Sequence, residues 1–127
     1  MGWGGFIAVG IGAAAGAWLR WWLGVLMNPF LPALPLGTLA ANLIGGYLMG
    51  IALGIFTHFA SLPVEARLLI TTGFLGGLTT FSTFSAEAVT LLTRQQYGWA
   101  AMHISSHVLG SLAMTGLGIL TVSLFRS

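Results

Sequence analysis

The sequence predicts an all-α integral membrane protein of four transmembrane helices, the third of them broken, and three observations predict it. Only 5% of the 127 residues are charged and 57% are apolar, whereas an ordinary soluble domain carries about 25% charged residues. Apolar stretches recur four times at close to the roughly 20 residues that a helix needs to cross a hydrocarbon core. Glycines and hydroxyl residues crowd the middle of the third stretch. Residues 1–127 therefore form a single transmembrane domain, with a mean hydropathy of +0.96 and no remainder for a water-facing surface.

The first span runs from about Gly4 to Met27, where Asn28, Pro29, Pro32 and Pro35 supply turn chemistry. It meets its first charge only at Arg20 and lacks the basic start of a cleavable signal, so it reads as a retained helix. The second span runs from about Leu36 to Phe59, closed by Ser61 and Pro63, and like the first it holds no acid. The third covers about Arg67 to Thr93. The fourth covers about Trp99 to Phe125, with Tyr97 and Trp99 suited to the membrane interface.

In the third span, Gly73, Gly76 and Gly77 precede Thr79, Thr80, Ser82, Thr83 and Ser85. A continuous helix is not expected there. Irregular backbone at membrane depth must be buried in protein or line a wet cavity, because lipid cannot satisfy freed amides and carbonyls. Two half-helices meeting at a break are predicted. Elsewhere Gly12/Gly16 and Gly46/Gly50/Gly54 repeat every four residues, which places them on one helix face and lets backbones approach closely.

The pI near 10 comes from four arginines, Arg20, Arg67, Arg94 and Arg126, scattered without lysine, so no nucleic-acid surface exists. With four spans, Arg67 and Arg126 fall on one side of the membrane and Arg20 and Arg94 on the other. Orientation follows Lys and Arg asymmetry, so this tie permits insertion both ways and an antiparallel homodimer of inverted copies. The absence of cysteine excludes disulfides and thiolate metal sites.

Several polar residues inside the spans call for explanation. Arg20 either snorkels to the interface or forms a vestibule cation that concentrates anions. Asn42, deep in the second span, is interhelical glue or a donor to an anion. His103, His107, Ser111 and Thr115 recur every four residues and draw a polar stripe along the fourth span, for packing or for a pore lining. A zinc reading of His103 and His107 is disfavoured because no acid stands near them in sequence. Phe81 and Phe84 share a helix face, as core residues or as rings whose electropositive edges meet an anion. Glu87, one turn beyond Thr83, is a functional acid or the cap of a buried hydroxyl network. Enzyme chemistry finds no footing, since aspartate is absent and no His-Glu-x-x-His motif occurs.

The run from Gly73 to Ser85, with Gly16 to Arg20 before it and Gly37 to Gly46 between, resembles the bacterial CrcB (Fluc) fluoride channels over all four spans. The resemblance implies a dual-topology antiparallel homodimer in the bacterial inner membrane, with two pores that pass fluoride out of the cell passively. It places fluoride contacts on Phe81, Phe84 and Asn42 and the vestibule arginine on Arg20; Thr83 and Glu87, near the rings in the third span, are further candidates for the fluoride pore from their own chemistry. His103, His107 and Ser111 take the places of the family's pore-lining track. A structural sodium ion at the dimer interface would be held by the main-chain carbonyls of Gly76 and Thr79. A small dual-topology exporter of cationic drugs would need a carboxylate in the first span, where this chain has Arg20. A non-transporting assembly subunit held by its glycine faces is the remaining alternative.

Overall fold

The computed structural model describes residues 2–126. Four helices within it are long and apolar enough to cross a membrane. The first span is Trp3–Met27, followed by a short 3-10 turn, Asn28–Phe30, and the second is Leu36–His58. Asn28 serves the second span as well as the turn, because its side-chain oxygen accepts the Gly37 and Thr38 N–H groups at 2.8 and 3.2 Å. Those are amides of a helix first turn that have no partner within the helix.

The third span begins at Val64, three residues earlier than the apolar pattern indicates. Pro63 stands before it in an extended conformation, and Glu65 in the first turn favours a helix N-terminus. An α-helical turn, Val64–Leu68, passes into a π-helical stretch, Leu69–Leu75, and then into a last turn, Gly76–Leu78. Thr79 and Thr80 are extended, with ψ of 156° and 120°. The second half-helix, Phe81–Thr93, starts from a Thr80 cap whose hydroxyl accepts the Thr83 N–H at 3.1 Å. The break expected from the Gly and Thr content is thus present at Thr79–Thr80. The fourth span, Tyr97–Arg126, starts two residues before Trp99.

Two glycine seams assemble these helices. Gly12 and Gly16 of the first span press against Gly73 and Gly77 of the third, and a Cβ at Gly16 would collide with the Phe74 carbonyl and the Leu78 amide. Gly46, Gly50 and Gly54 of the second span press against the fourth, where a Cβ at Gly50 would strike the Thr115 carbonyl. Backbone-to-backbone approach of this kind gives van der Waals contact that lipid cannot supply to a bare helix. It also draws Thr115 close enough to donate its hydroxyl to the Gly46 carbonyl at 2.9 Å. Between the seams lies a small core of Leu23, Ala41, Leu75 and Leu78, the last two just ahead of the break. Large apolar residues such as Trp18, Trp21, Leu109 and Leu112 point outward, as lipid contact requires.

Gly16→Val and Gly50→Val are each expected to destabilise the fold by about 3 kcal/mol, because overpacking here meets backbone instead of a movable side chain. Gly10→Val and Gly116→Val, with nothing within 4 Å of the added carbon, should unfold like the parent. Chemical unfolding in detergent compares the four variants.

Candidate ion pathway at the broken third helix

Breaking a helix inside a membrane releases backbone groups, and the site is built from the side chains that take them up. Asn42, one turn before Gly46 on the second span, meets the break with both ends of its amide. Its Oδ1 accepts the Thr80 N–H at 2.8 Å and its Nδ2 donates to the Thr80 carbonyl at 3.1 Å. This double bond to one residue copies what a neighbouring strand would offer and fixes which way the amide faces. Nδ2 also lies 3.0 Å from His107 Nδ1. With Nδ2 as the donor, a neutral His107 keeps its own proton on Nε2, a buried atom with no hydrogen-bond partner.

The capture of these amides has a second effect. In a continuous helix the Thr80 N–H would serve the Gly76 carbonyl, and the Thr83 N–H would serve the Thr79 carbonyl. Here the first goes to Asn42 and the second to the Thr80 hydroxyl, so both carbonyls lose their regular donors. Gly76 lies on the exposed side of the break, and Gly76 and Thr79 line an open cavity of about 380 Å³ with Asn42, Phe81, His107 and Ser111. A third released carbonyl, that of Gly77, receives Arg20 Nε at 3.0 Å. Arg20 therefore caps the first half-helix at its negative end, a use that neither snorkelling nor a free vestibule charge anticipates. It also lines a cavity of about 300 Å³ with Thr38, Thr80 and Thr83.

Beyond the break, three rings pack together. Phe84 lies 5.3 Å from the His103 ring and 4.7 Å from the His107 ring, and the two imidazoles are 4.4 Å apart. Phe84 and both histidines are buried, whereas Phe81, 5.6 Å from Phe84, is 79% exposed. The two phenylalanines are neighbours, yet only one is a core residue. Glu87, one turn after Thr83, accepts the Thr38 hydroxyl at 2.8 Å and places its other oxygen 3.4 Å from His103 Nε2. The expectation that no acid neighbours the histidine pair is corrected here. Sequence distance hid a tertiary contact, because the second half-helix lies against the fourth span and lowers Glu87 onto it.

The structure thus gathers Asn42, Phe84, Glu87, His103 and His107 into one cluster. Phe81 and Ser111 line the cavity at its edge, and Arg20 and Thr83 share a separate cavity. Thr38, Thr80 and Asn28 are the residues that sequence reasoning missed. Thr80 carried a signal, a threonine immediately before the apolar-periodic residues Phe81, Phe84 and Ala88. Thr38 carried only its position in the first turn of a helix without acids.

A family model described as CrcB-like protein, Camphor Resistance (CrcB), matches residues 7–119. The chain belongs to the CrcB family. It is 67% identical over 115 residues to the fluoride-specific ion channel FluC of Nitrosospira multiformis, covering 91% of this chain and 90% of that one. Identity is 64% over 117 residues with the protein of the same name from Cupriavidus taiwanensis, covering 92% and 93%. With that of Thiobacillus denitrificans it is 54% over 121 residues, covering 95% and 98%. Similarity of this extent spans all four helices of the CrcB chain and the break between Leu78 and Phe81.

If Asn42 braces the break, Asn42→Ala leaves the Thr80 N–H and carbonyl without partners and should cost about 2–6 kcal/mol, since each orphaned buried group costs roughly 1–3 kcal/mol. Asn42→Asp keeps the acceptor but turns an oxygen toward the Thr80 carbonyl, and should also destabilise. Chemical unfolding in detergent measures both, and an alanine variant as stable as the parent would contradict the brace.

Proposed function

We propose that this chain is a fluoride-selective channel, which lets fluoride leave the cell passively across the bacterial inner membrane and so limits its toxicity. The observation that carries this reading is 67% identity across nine-tenths of both chains with a fluoride-specific ion channel. It is a multi-pass membrane protein and not an enzyme.

Fluoride is small and strongly hydrated, so a selective path must replace its water with closely placed donors while remaining too narrow for larger anions. The cluster around the break offers donors of that type without a fixed positive charge that would trap the ion. They are the His107 Nε2–H, the Ser111 hydroxyl, the Thr83 hydroxyl and the edges of Phe81 and Phe84, with Asn42 orienting His107 through its amide. Arg20, at the cavity on the other side of the break, contributes positive potential at the approach.

The active unit in this reading is an antiparallel homodimer. Support comes from the arginine tie and from the face that carries Gly76, Phe81 and Ser82, all exposed in the single chain. Lipid would leave the released carbonyls there unsatisfied, whereas an inverted second copy brings protein against them. A structural sodium ion fits the same place. The carbonyls of Gly76 and Thr79 are hard oxygen ligands that have lost their helical donors, and a bound cation would neutralise their negative ends and tie the two copies together.

Phe84→Ile and Phe81→Ile test the pathway, because each removes an electropositive ring edge at modest change in volume. Either change should cut fluoride efflux from proteoliposomes by about tenfold or more, on the order of 1.4 kcal/mol in barrier, with the protein still eluting as the parent does. Parental efflux in both would return the rings to packing. Replacing sodium with a large organic cation should lower both dimer stability and fluoride efflux, and no change in either would contradict the sodium site.

A further inference from the structure

Glu87, His103 and His107 present one ligand atom each within 4.8 Å of one another, and no other use in the fold accounts for all of them. His103 is fully buried, and its Nε2 faces Glu87 Oε1 at 3.4 Å, longer than a good N–H···O hydrogen bond. That Glu87 oxygen and His107 Nε2 are also buried, and neither makes a hydrogen bond of ordinary length. Three ligand atoms, one from each residue, converge here inside a membrane protein, where buried polar groups are normally satisfied. Ring packing under Phe84 holds the imidazoles in place but leaves His103 Nε2 and His107 Nε2 without an ordinary hydrogen bond.

We propose that Glu87, His103 and His107 form a binding site for a borderline transition-metal cation of the Zn2+ class, whose occupation blocks the fluoride path. Two imidazoles and one carboxylate are the donor set of open zinc sites, with the fourth position left to water or an anion. The spacing agrees, since tetrahedral ligands at bond lengths of about 2.0–2.1 Å stand roughly 3.3 Å apart, and Glu87 Oε1 lies 3.4 Å from His103 Nε2. His103 and His107 come from one face of one helix, at i and i+4, so a small rotation of the rings closes the third edge. A way in exists as well. Glu87 lines an open cavity of about 420 Å³ with Thr83, Thr90 and Arg94, so a cation reaches its carboxylate before the histidines.

This site differs in chemistry from the main-chain carbonyls at the break. Nitrogen donors select Zn2+, Co2+ and Cu2+ over Mg2+ and Ca2+, which prefer all-oxygen shells. The bound charge has two consequences for permeation. A divalent ion outweighs the single carboxylate, so it holds an anion in its open position instead of passing it on. Ligation through His107 Nε2 also moves the remaining ring proton to Nδ1, facing the Asn42 Nδ2–H, so the ring must part from the amide that braces the break.

The inhibition part rests on the channel reading given above, while the binding part does not, and the experiment separates them. Tag-free protein in detergent is titrated with Co2+ and watched for the visible ligand-field absorption of a four-coordinate site, then displaced with Zn2+. Fluoride efflux from proteoliposomes is measured with and without Zn2+, with Mg2+ as the comparison. The proposal expects one Co2+ per subunit, lost from Glu87→Gln and His103→Gln by at least about tenfold in affinity, and retained in His58→Ala, whose histidine lies at the end of the second span. It expects Zn2+, and not Mg2+, to slow efflux. His107→Gln provides a second variant should His103→Gln fail to fold. No Co2+ spectrum, or equal affinity in the parent and the ligand variants, would overturn the site. Metal bound at the site with efflux unchanged would overturn the block. Absence of fluoride efflux in metal-free parent would count against the channel reading alone, with the Co2+ spectrum still deciding the site.

Discussion

One side-chain amide carries the architecture of the third span. In the middle of a bilayer no water can rescue an open backbone group, so an interrupted helix persists only if protein supplies the missing partners. Asn42 gives Thr80 both an acceptor and a donor. The Thr80 hydroxyl then starts the next half-helix, and Arg20 closes the previous one at Gly77. Each of these bonds diverts a group from its ordinary helical partner. The carbonyls of Gly76 and Thr79 lose their regular helical donors as a direct result.

Those bonds need the helices to stand unusually near each other, and glycine makes that possible. Gly12 and Gly16 meet Gly73 and Gly77 backbone to backbone, which brings the first span close enough for Arg20 to reach Gly77. Gly46 and Gly50 meet the fourth span in the same way, bringing His107 to Asn42. The polar cluster is thus assembled by the smallest residues in the chain. A packing role for the glycines and a functional role for the break are two parts of one arrangement.

Much of this was legible from residue order alone. Four spans followed from hydropathy, and the break followed from glycines and hydroxyls that a dry continuous helix has no reason to collect. The Asn42, Phe84 and His107 neighbourhood was legible through family resemblance. What residue order could not show was anything made by a contact between spans. Arg20 was read for its charge, whereas its use as a cap depends on where the first half-helix of the third span ends. Glu87 was read apart from the histidines because 16 positions separate it from His103, and only the packing of the second half-helix joins them. Thr38 gave no periodic signal, and its partner Glu87 lies in another span. Phe81 and Phe84 looked equivalent by spacing, yet one is buried and the other faces outward.

The central claim is that donors gathered at a braced helix break pass fluoride and refuse larger halides. The most direct measurement reconstitutes the purified chain in liposomes loaded with fluoride or with chloride and records efflux of each under the same gradient, with a potassium ionophore to relieve charge and no other energy source. The account predicts rapid loss of fluoride and retention of chloride. Equal loss of both ions, or retention of both by folded protein, would contradict it.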